Sequence, residues 1–327
     1  MRRGAAVVAM ASAALVSVAL SGCGTTSEAS SSSAAPTPSP STSAAPAVVD
    51  ASAEFEELEA RFDARLGVMA IQIGSLGAAP DPENGSGSDA TGGIVEWRAD
   101  ERFAYASTIK ALAAGAALDL LGVDGTQATV TVSADDLVTY SPVVETRVGG
   151  SMTLADVADA ALTVSDNTAG NYLFDAVGGP DELDRLLAEA GGEATTVSRI
   201  EPELNEATPG DDRDTSTPRA MADTLREYVL GDILPAAERA QLVGWMTATE
   251  TGDTLVRADL PSEWVVGDKS GSGGYGTRND IAVVWPTDGA PIVIAVMSSR
   301  GAADAARDDR LIAEAAAVAV HALGAMD

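Results

Sequence analysis

Between about residue 107 and residue 247 the chain reads as an almost unbroken series of helices, with strand-like runs on both sides. Within that block Leu154, Val157, Ala158, Ala161 and Leu162 follow the spacing of a half-buried helix. "TPRAMADTLREYVLG" offers Thr217 as N-cap, Pro218 at the first helical position and Gly231 past the end. Before the block come a helical "FEELEARFDARLG" and the strand-like "VMAIQIG" and "IVEWRA"; after it come "EWVVGDKSG", "NDIAVVWP", "APIVIAVMSS" and an alanine-rich helix. A sheet must therefore be assembled from both ends of the chain around an inserted helical domain. The expected class is α/β plus all-α: an antiparallel sheet flanked by helices, built from 51–106 and 248–327, beside a helical domain 107–247. No internal repeat is visible, and the Gly/Pro/Asp-rich stretch Ser75–Gly93 predicts a hairpin tip.

The N-terminus follows different rules. Arg2 and Arg3 precede the apolar run "AAVVAMASAALVSVAL", which reads as a cleavable export signal over 1–22. The run ends in "LSGC", which resembles the bacterial lipoprotein processing box and predicts lipidation of Cys23, leaving no cysteine for a disulfide. Several acyl chains would anchor the protein stably to the outer side of the cytoplasmic membrane. Residues 23–50 are rich in Ser, Ala and Pro, too poor in apolar surface to order themselves, and predict a tether.

Charge and side-chain inventory exclude several functions. The formal charge is −29, and it becomes −31 when Arg2 and Arg3 leave with the signal. Nucleic acid, which demands dense Lys/Arg surface, is not an expected partner. One histidine, His321, lies in the terminal helix, so neither a Ser-His-Asp triad nor a histidine-based zinc site can be built, and neither metal nor cofactor is expected. Hydrolysis would have to use lysine or carboxylate as base. Gly271, Gly273 and Gly276 match G-x-G-x-x-G, but a strand rather than a helix follows, so no dinucleotide site is predicted.

Three short motifs remain. "ASTIKALAAGAAL" sets Ser107 and Lys110 three apart at the start of a helix, on one face, where an amine can take the serine proton. "SDN", Ser165 to Asn167, follows the amphipathic helix, and "DKSGSG" carries Lys269, Ser270, Gly271 and Ser272 at the end of a strand. Singly each fits an ordinary turn or cap; their conjunction in this order does not.

Together Ser107/Lys110, Ser165-Asp166-Asn167 and Lys269-Ser270-Gly271 resemble the signatures of the class A serine β-lactamases and their penicillin-binding relatives. The likeness spans nearly all of 51–327, including "YSPV" at Tyr140 and "TGDTLVRADLP" around Arg257. It implies the β-lactamase/transpeptidase-like fold, β-lactam antibiotics as partners, and a monomer that hydrolyses them through a serine acyl-enzyme. By that resemblance the backbone N–H groups of Ser107 and Ser272 form the oxyanion hole, Ser165 passes a proton to the lactam nitrogen, and Asn167, Tyr140, Lys269, Ser270, Gly271, Ser272 and Arg257 hold substrate, the last at its carboxylate. Either Lys110 or Glu201, through water, takes the Ser107 proton.

One stretch separates a hydrolase from its relatives. "RIEPELNEATPGDDRDTSTP", 199–218, holds six carboxylates and three prolines. The resemblance makes it an Ω-shaped loop in which Glu201 and Asn205 activate the deacylating water. It also implies that Arg199 pairs with Asp214 at the neck, Pro202 follows a cis bond and Asn171 bonds near Glu201, leaving Asp211 and Asp212 merely solvated. A DD-carboxypeptidase of peptidoglycan or a lipid-tethered penicillin sensor would share the first three motifs without needing the Glu201/Asn205 pair.

Overall fold

The computed structural model describes residues 47–74 and 92–326. The signal 1–22, Cys23, the tether up to residue 46 and the insertion from 75 to 91 lie outside the described residues. The chain runs through β1 (Ala47–Val49), α1 (Ser52–Phe62), β2 (Arg65–Gln72), β3 (Gly93–Trp97) and β4 (Phe103–Ala104). It continues through α2 (Ile109–Gly125), β5 (Thr129–Thr131), β6 (Ser151–Thr153), α3 (Leu154–Thr163), α4 (Asn167–Val177), α5 (Pro180–Glu189), β7 (Thr215–Ser216), α6 (Pro218–Val229) and α7 (Ala236–Thr247). It closes with β8 (Val265–Ser272), β9 (Arg278–Trp285), β10 (Ile292–Ser299) and α8 (Asp309–Ala322).

The main sheet has the order β1-β3-β2-β10-β9-β8, so strands from the two ends of the chain meet at β2–β10, with Ala70 opposite Ile294. Two sequence expectations need correction. The sheet is not wholly antiparallel: β1 runs parallel to β3, Val48 facing Ile94. And Ala47–Val49, expected in the tether, is that strand; two valines can pair along an open edge even beside a Ser/Pro tract.

Strand alternation divides the core in two. Val68 and Ala70 face Phe55 and Leu58 of α1 and Leu311, Ile312 and Ala315 of α8. Met69 and Ile71 join the other cluster, which continues through Met221 and Leu225 of α6 into α2, α3 and α4. The helical block therefore shares its core with the sheet. At its centre α2 is buried from Ile109 to Leu118, as a helix apolar on every side must be. Truncating a fully buried side chain such as Phe55 costs about 3–5 kcal/mol. Helix ends follow local chemistry: the Thr217 hydroxyl accepts from Ala220 N at 3.1 Å and starts α6, while Thr153 and Asp156 form a reciprocal capping box on α3.

Candidate active site

A helical turn, Ala106–Thr108, delivers the chain into α2 and leaves Ser107 at the sheet edge. One turn further on, Lys110 is wholly buried, and a buried ammonium requires partners. Its Nζ lies 2.9 Å from Glu201 Oε1 and donates to Asn167 Oδ1 at 2.7 Å and to the Ser165 carbonyl at 3.0 Å. Burial lowers the Lys110 pKa, and the Glu201 carboxylate opposes that shift. Gly170 of α4 makes the room: a Cβ there would stand 2.7 Å from Lys110 Cε.

The loop before α4 aims the next groups. Ser165 takes a left-handed backbone, φ 62°, and its Oγ accepts from Lys269 Nζ at 3.0 Å. Asp166 is buried and structural: one oxygen caps α4 through Ala169 N at 2.9 Å, and the other accepts from Val143 N and Val144 N at 3.0 Å. That tie fixes the segment bearing Tyr140, which is exposed at the cleft mouth. Asn167 bridges the two sides, accepting from Lys110 and donating to the Thr139 carbonyl at 2.9 Å.

The acidic stretch sorts its carboxylates by burial. Glu201 is 1% exposed, and its Oε1 accepts from Ser107 Oγ at 3.0 Å as well as meeting Lys110, while Oε2 accepts from Asn205 Nδ2. Its backbone is clamped by Asn171, which accepts from Glu201 N at 2.8 Å and donates to its carbonyl at 2.9 Å; the Glu201–Pro202 bond is cis. At the neck Asp214, also buried, accepts from Arg199 Nε, from the backbone N–H of Ser198 and Arg199 at 3.0 and 2.9 Å, and from Tyr105 Oη at 3.1 Å. Burial and the Asp214 charge push the Tyr105 phenol well above its ordinary range. Asp211 instead pairs with Arg213 in solvent.

Strand β8 forms the opposite wall. Lys269 is fully buried, donating to Ser165 Oγ at 3.0 Å and to the Ser270 carbonyl at 2.8 Å. Burial first and the nearby Lys110 second push its amine down to about 7, against the pull of Asp280, Asp268 and Glu201. Ser270 Oγ shares a hydrogen bond of 2.8 Å with Thr251 Oγ1. Gly271 must lack a side chain, because a Cβ would come within 2.9 Å of the Tyr105 carbonyl and 3.1 Å of Thr108 N. The strand backbone is thereby laid against the turn bearing Ser107. Between the walls lies a cleft of about 410 Å³ lined by Ser107, Tyr140, Ser165, Asn167, Asn205, Ser270, Gly271 and Ser272, and also by Thr251, Arg278 and Arg307.

Arg257 is not among them. Its Nε donates to Asp268 Oδ1 at 2.8 Å and its Nη2 to the Val266 carbonyl at 3.3 Å. Asp268 is fully buried, and it takes Arg257 as counter-ion, which holds that guanidinium out of the cleft. The cleft instead holds Arg307 and Arg278, the latter placed directly opposite Ser272 by β8–β9 pairing. Its signal was available: the hairpin after "DKSGSG" returns as "TRND", and strand pairing carries Arg278 back to the motif. Thr251 opens the "TGDTLVRADLP" stretch that was read only for Arg257, and Arg307 comes from a connecting segment with no motif. Among the described residues no cluster of His, Cys, Asp and Glu is arranged to hold a metal ion, and His321 is exposed on α8.

This chain matches the model of the beta-lactamase enzyme family over residues 50–323. It is 51% identical over 271 residues to a beta-lactamase of Amycolatopsis lactamdurans, covering 83% of this chain and 84% of that protein. Beta-lactamase 1 of Bacillus cereus is 48% identical over 267 residues, 82% of each chain. The crystal structure of a halotolerant bacterial beta-lactamase superposes with a TM-score of 0.76 at 48% identity, covering 83% of this chain and 98% of the other. A class A beta-lactamase from Clostridium kluyveri gives the same TM-score and coverage at 40% identity.

Proposed function

The chain belongs to the beta-lactamase enzyme family, class A, and from that premise we propose that it hydrolyses β-lactam antibiotics through an ester on Ser107. The observation that carries this reading is the single buried oxygen, Glu201 Oε1, that touches both Ser107 Oγ and Lys110 Nζ. Ser107 Oγ attacks the lactam carbonyl carbon and releases its proton to the Glu201/Lys110 pair. Backbone N–H groups of Ser107 and Ser272 receive the oxyanion, where one such donor is typically worth about 3–4 kcal/mol. As the C–N bond breaks, Ser165 Oγ, held by Lys269 Nζ at 3.0 Å, protonates the lactam nitrogen and takes up in exchange the proton that the Glu201/Lys110 pair received from Ser107, so that Glu201 is again a free carboxylate. The leaving amine stays tethered to the acyl group, so only an activated water clears the enzyme. Glu201, with Asn205 on its second oxygen, takes a proton from that water as it attacks the ester, and Ser107 is regenerated. Ser270 and Arg278 in the cleft wall, with the charge of Lys269 buried behind it, hold the substrate carboxylate, and Tyr140 stands at the mouth.

Sustained turnover of a chromogenic cephalosporin by the purified protein, unchanged by EDTA, is the expected result. A single stoichiometric burst would point instead to a penicillin sensor, and loss of activity restored by zinc would end the serine mechanism.

The "LSGC" box and the Ser/Pro/Ala tract after it support export and anchoring through Cys23 on the outer face of the cytoplasmic membrane. Cells fed a fatty-acid analogue should label the wild-type protein and not Cys23→Ala; an unlabelled wild type would refute the anchor.

A further inference from the structure

The cleft's carboxylate end contains two arginines in different electrostatic states. Arg278 is 7% exposed, and its Nε donates to Asp309 Oδ1 at 2.7 Å, an ion pair that cancels its charge locally. Asp309 is itself held by Thr254 Oγ1 at 2.6 Å, so the pair is built into the start of α8. Arg307 enters the same cleft from the segment before α8 and donates through Nη1 to Ser272 Oγ at 3.2 Å. Among the described residues it makes no contact with a carboxylate within 4.0 Å. Its guanidinium is without a direct ion pair, although Asp309 feels its charge from further off, and it is solvent-accessible and beside Ser272, whose N–H is assigned to the oxyanion.

Resting on the β-lactamase reading, we propose that Arg307 is a specificity-determining residue, adding to Lys269 an unpaired positive charge at the cleft surface that recognises the substrate carboxylate, while Arg278 acts as a charge-compensated hydrogen-bond donor. A small monoanion in this acidic protein meets a repulsive field at long range, and an unpaired guanidinium at the cleft surface adds to what offsets it locally. The Ser272 hydroxyl holds the guanidinium in position without neutralising it. β-Lactams that retain the ring carboxylate are thereby favoured over esterified ones.

The test uses the full chain and benzylpenicillin with its methyl ester. Arg307→Gln should raise the KM for benzylpenicillin about tenfold, the scale of one charge-assisted contact, with kcat within about twofold. Arg307→Lys should recover most of the loss, and added salt should weaken benzylpenicillin turnover more in wild type than in Arg307→Gln. Binding is measured separately by calorimetry in a Ser107→Ala background, which cannot form the ester. There Arg307→Gln should weaken benzylpenicillin about tenfold and leave the methyl ester unaffected. A change below about twofold, an equal loss for acid and ester, or no binding by Ser107→Ala overturns the proposal. A wild type that binds but never hydrolyses overturns the β-lactamase reading instead, and the calorimetry still decides Arg307.

Discussion

The chain contains two lysines, Lys110 and Lys269; both are fully buried at the cleft, yet their surroundings differ in kind. On the helical wall Lys110 is held by a carboxylate at 2.9 Å, whose same oxygen accepts from Ser107. On the strand wall Lys269 has only a hydroxyl and a carbonyl as hydrogen-bond partners, and Asp280, Asp268 and Glu201 act on it from further off. One lysine is compensated from within and serves to align serine and base. The other is left short of negative charge, a deficit that an anionic substrate would fill. The contrast separates the wall that does chemistry from the wall that binds.

The strongest break in this contrast is Glu201→Gln. It removes the counter-charge of Lys110 and the base for the deacylating water while keeping the side chain's size. Hydrolysis should fall by about 10²–10⁴, the usual worth of a general base. Mass spectrometry should then find the mutant carrying one intact penicillin while the wild type is unmodified; equal turnover would make Glu201 a bystander.

On the strand side, Arg257→Leu should cost about 3 kcal/mol of stability, because Asp268 remains buried without a partner, and should leave KM within about twofold. A large KM effect would return Arg257 to the substrate. Burial already pushes Asp268 up to about 6, against the pull of Arg257. Its folded form therefore binds more protons than the unfolded chain between about pH 4 and 6, and stability falls as pH rises through that window. Denaturation at pH 5 and 7 should show the mutant's deficit growing with pH.

A smaller effect distinguishes the lysines by pH. With Lys269 protonating near 7, kcat/KM for an anionic penicillin should fall by up to about tenfold per pH unit on the alkaline side, and Lys269→Arg should move that limb upward. Stability should move the other way. A lysine lowered in the fold binds fewer protons than its unfolded form between about pH 7 and 10, so the fold gains as pH rises there. Activity and stability changing together across this range would contradict the assignment. The smallest effect belongs to Asp211→Asn: this carboxylate is held low, at about 2, by Arg213 on the solvent side, so melting temperature and kcat should match wild type.

The sequence by itself determined what depends on near neighbours. Ser107 and Lys110 share a helix face because three residues make one turn, and Val68 and Met69 part company because a strand alternates. A single histidine excludes whole mechanisms from composition alone. The order of periodic segments also demanded a sheet from both chain ends, and β2 does pair with β10. What only the tertiary structure decided were choices between chemically equal candidates. Glu201 and Glu206 lie five positions apart in one acidic loop, and Asn171 and Lys110, both distant in the chain, enclose the first, while Glu206 remains exposed. Arg257 and Arg278 were alike as cations until strand register set one behind the sheet and the other opposite Ser272. Arg307 and Thr251 reach the cleft only because their connecting segments cross it. Local periodicity is written in consecutive residues, whereas burial and charge pairing depend on which distant segments pack together, and that is settled by the whole core at once.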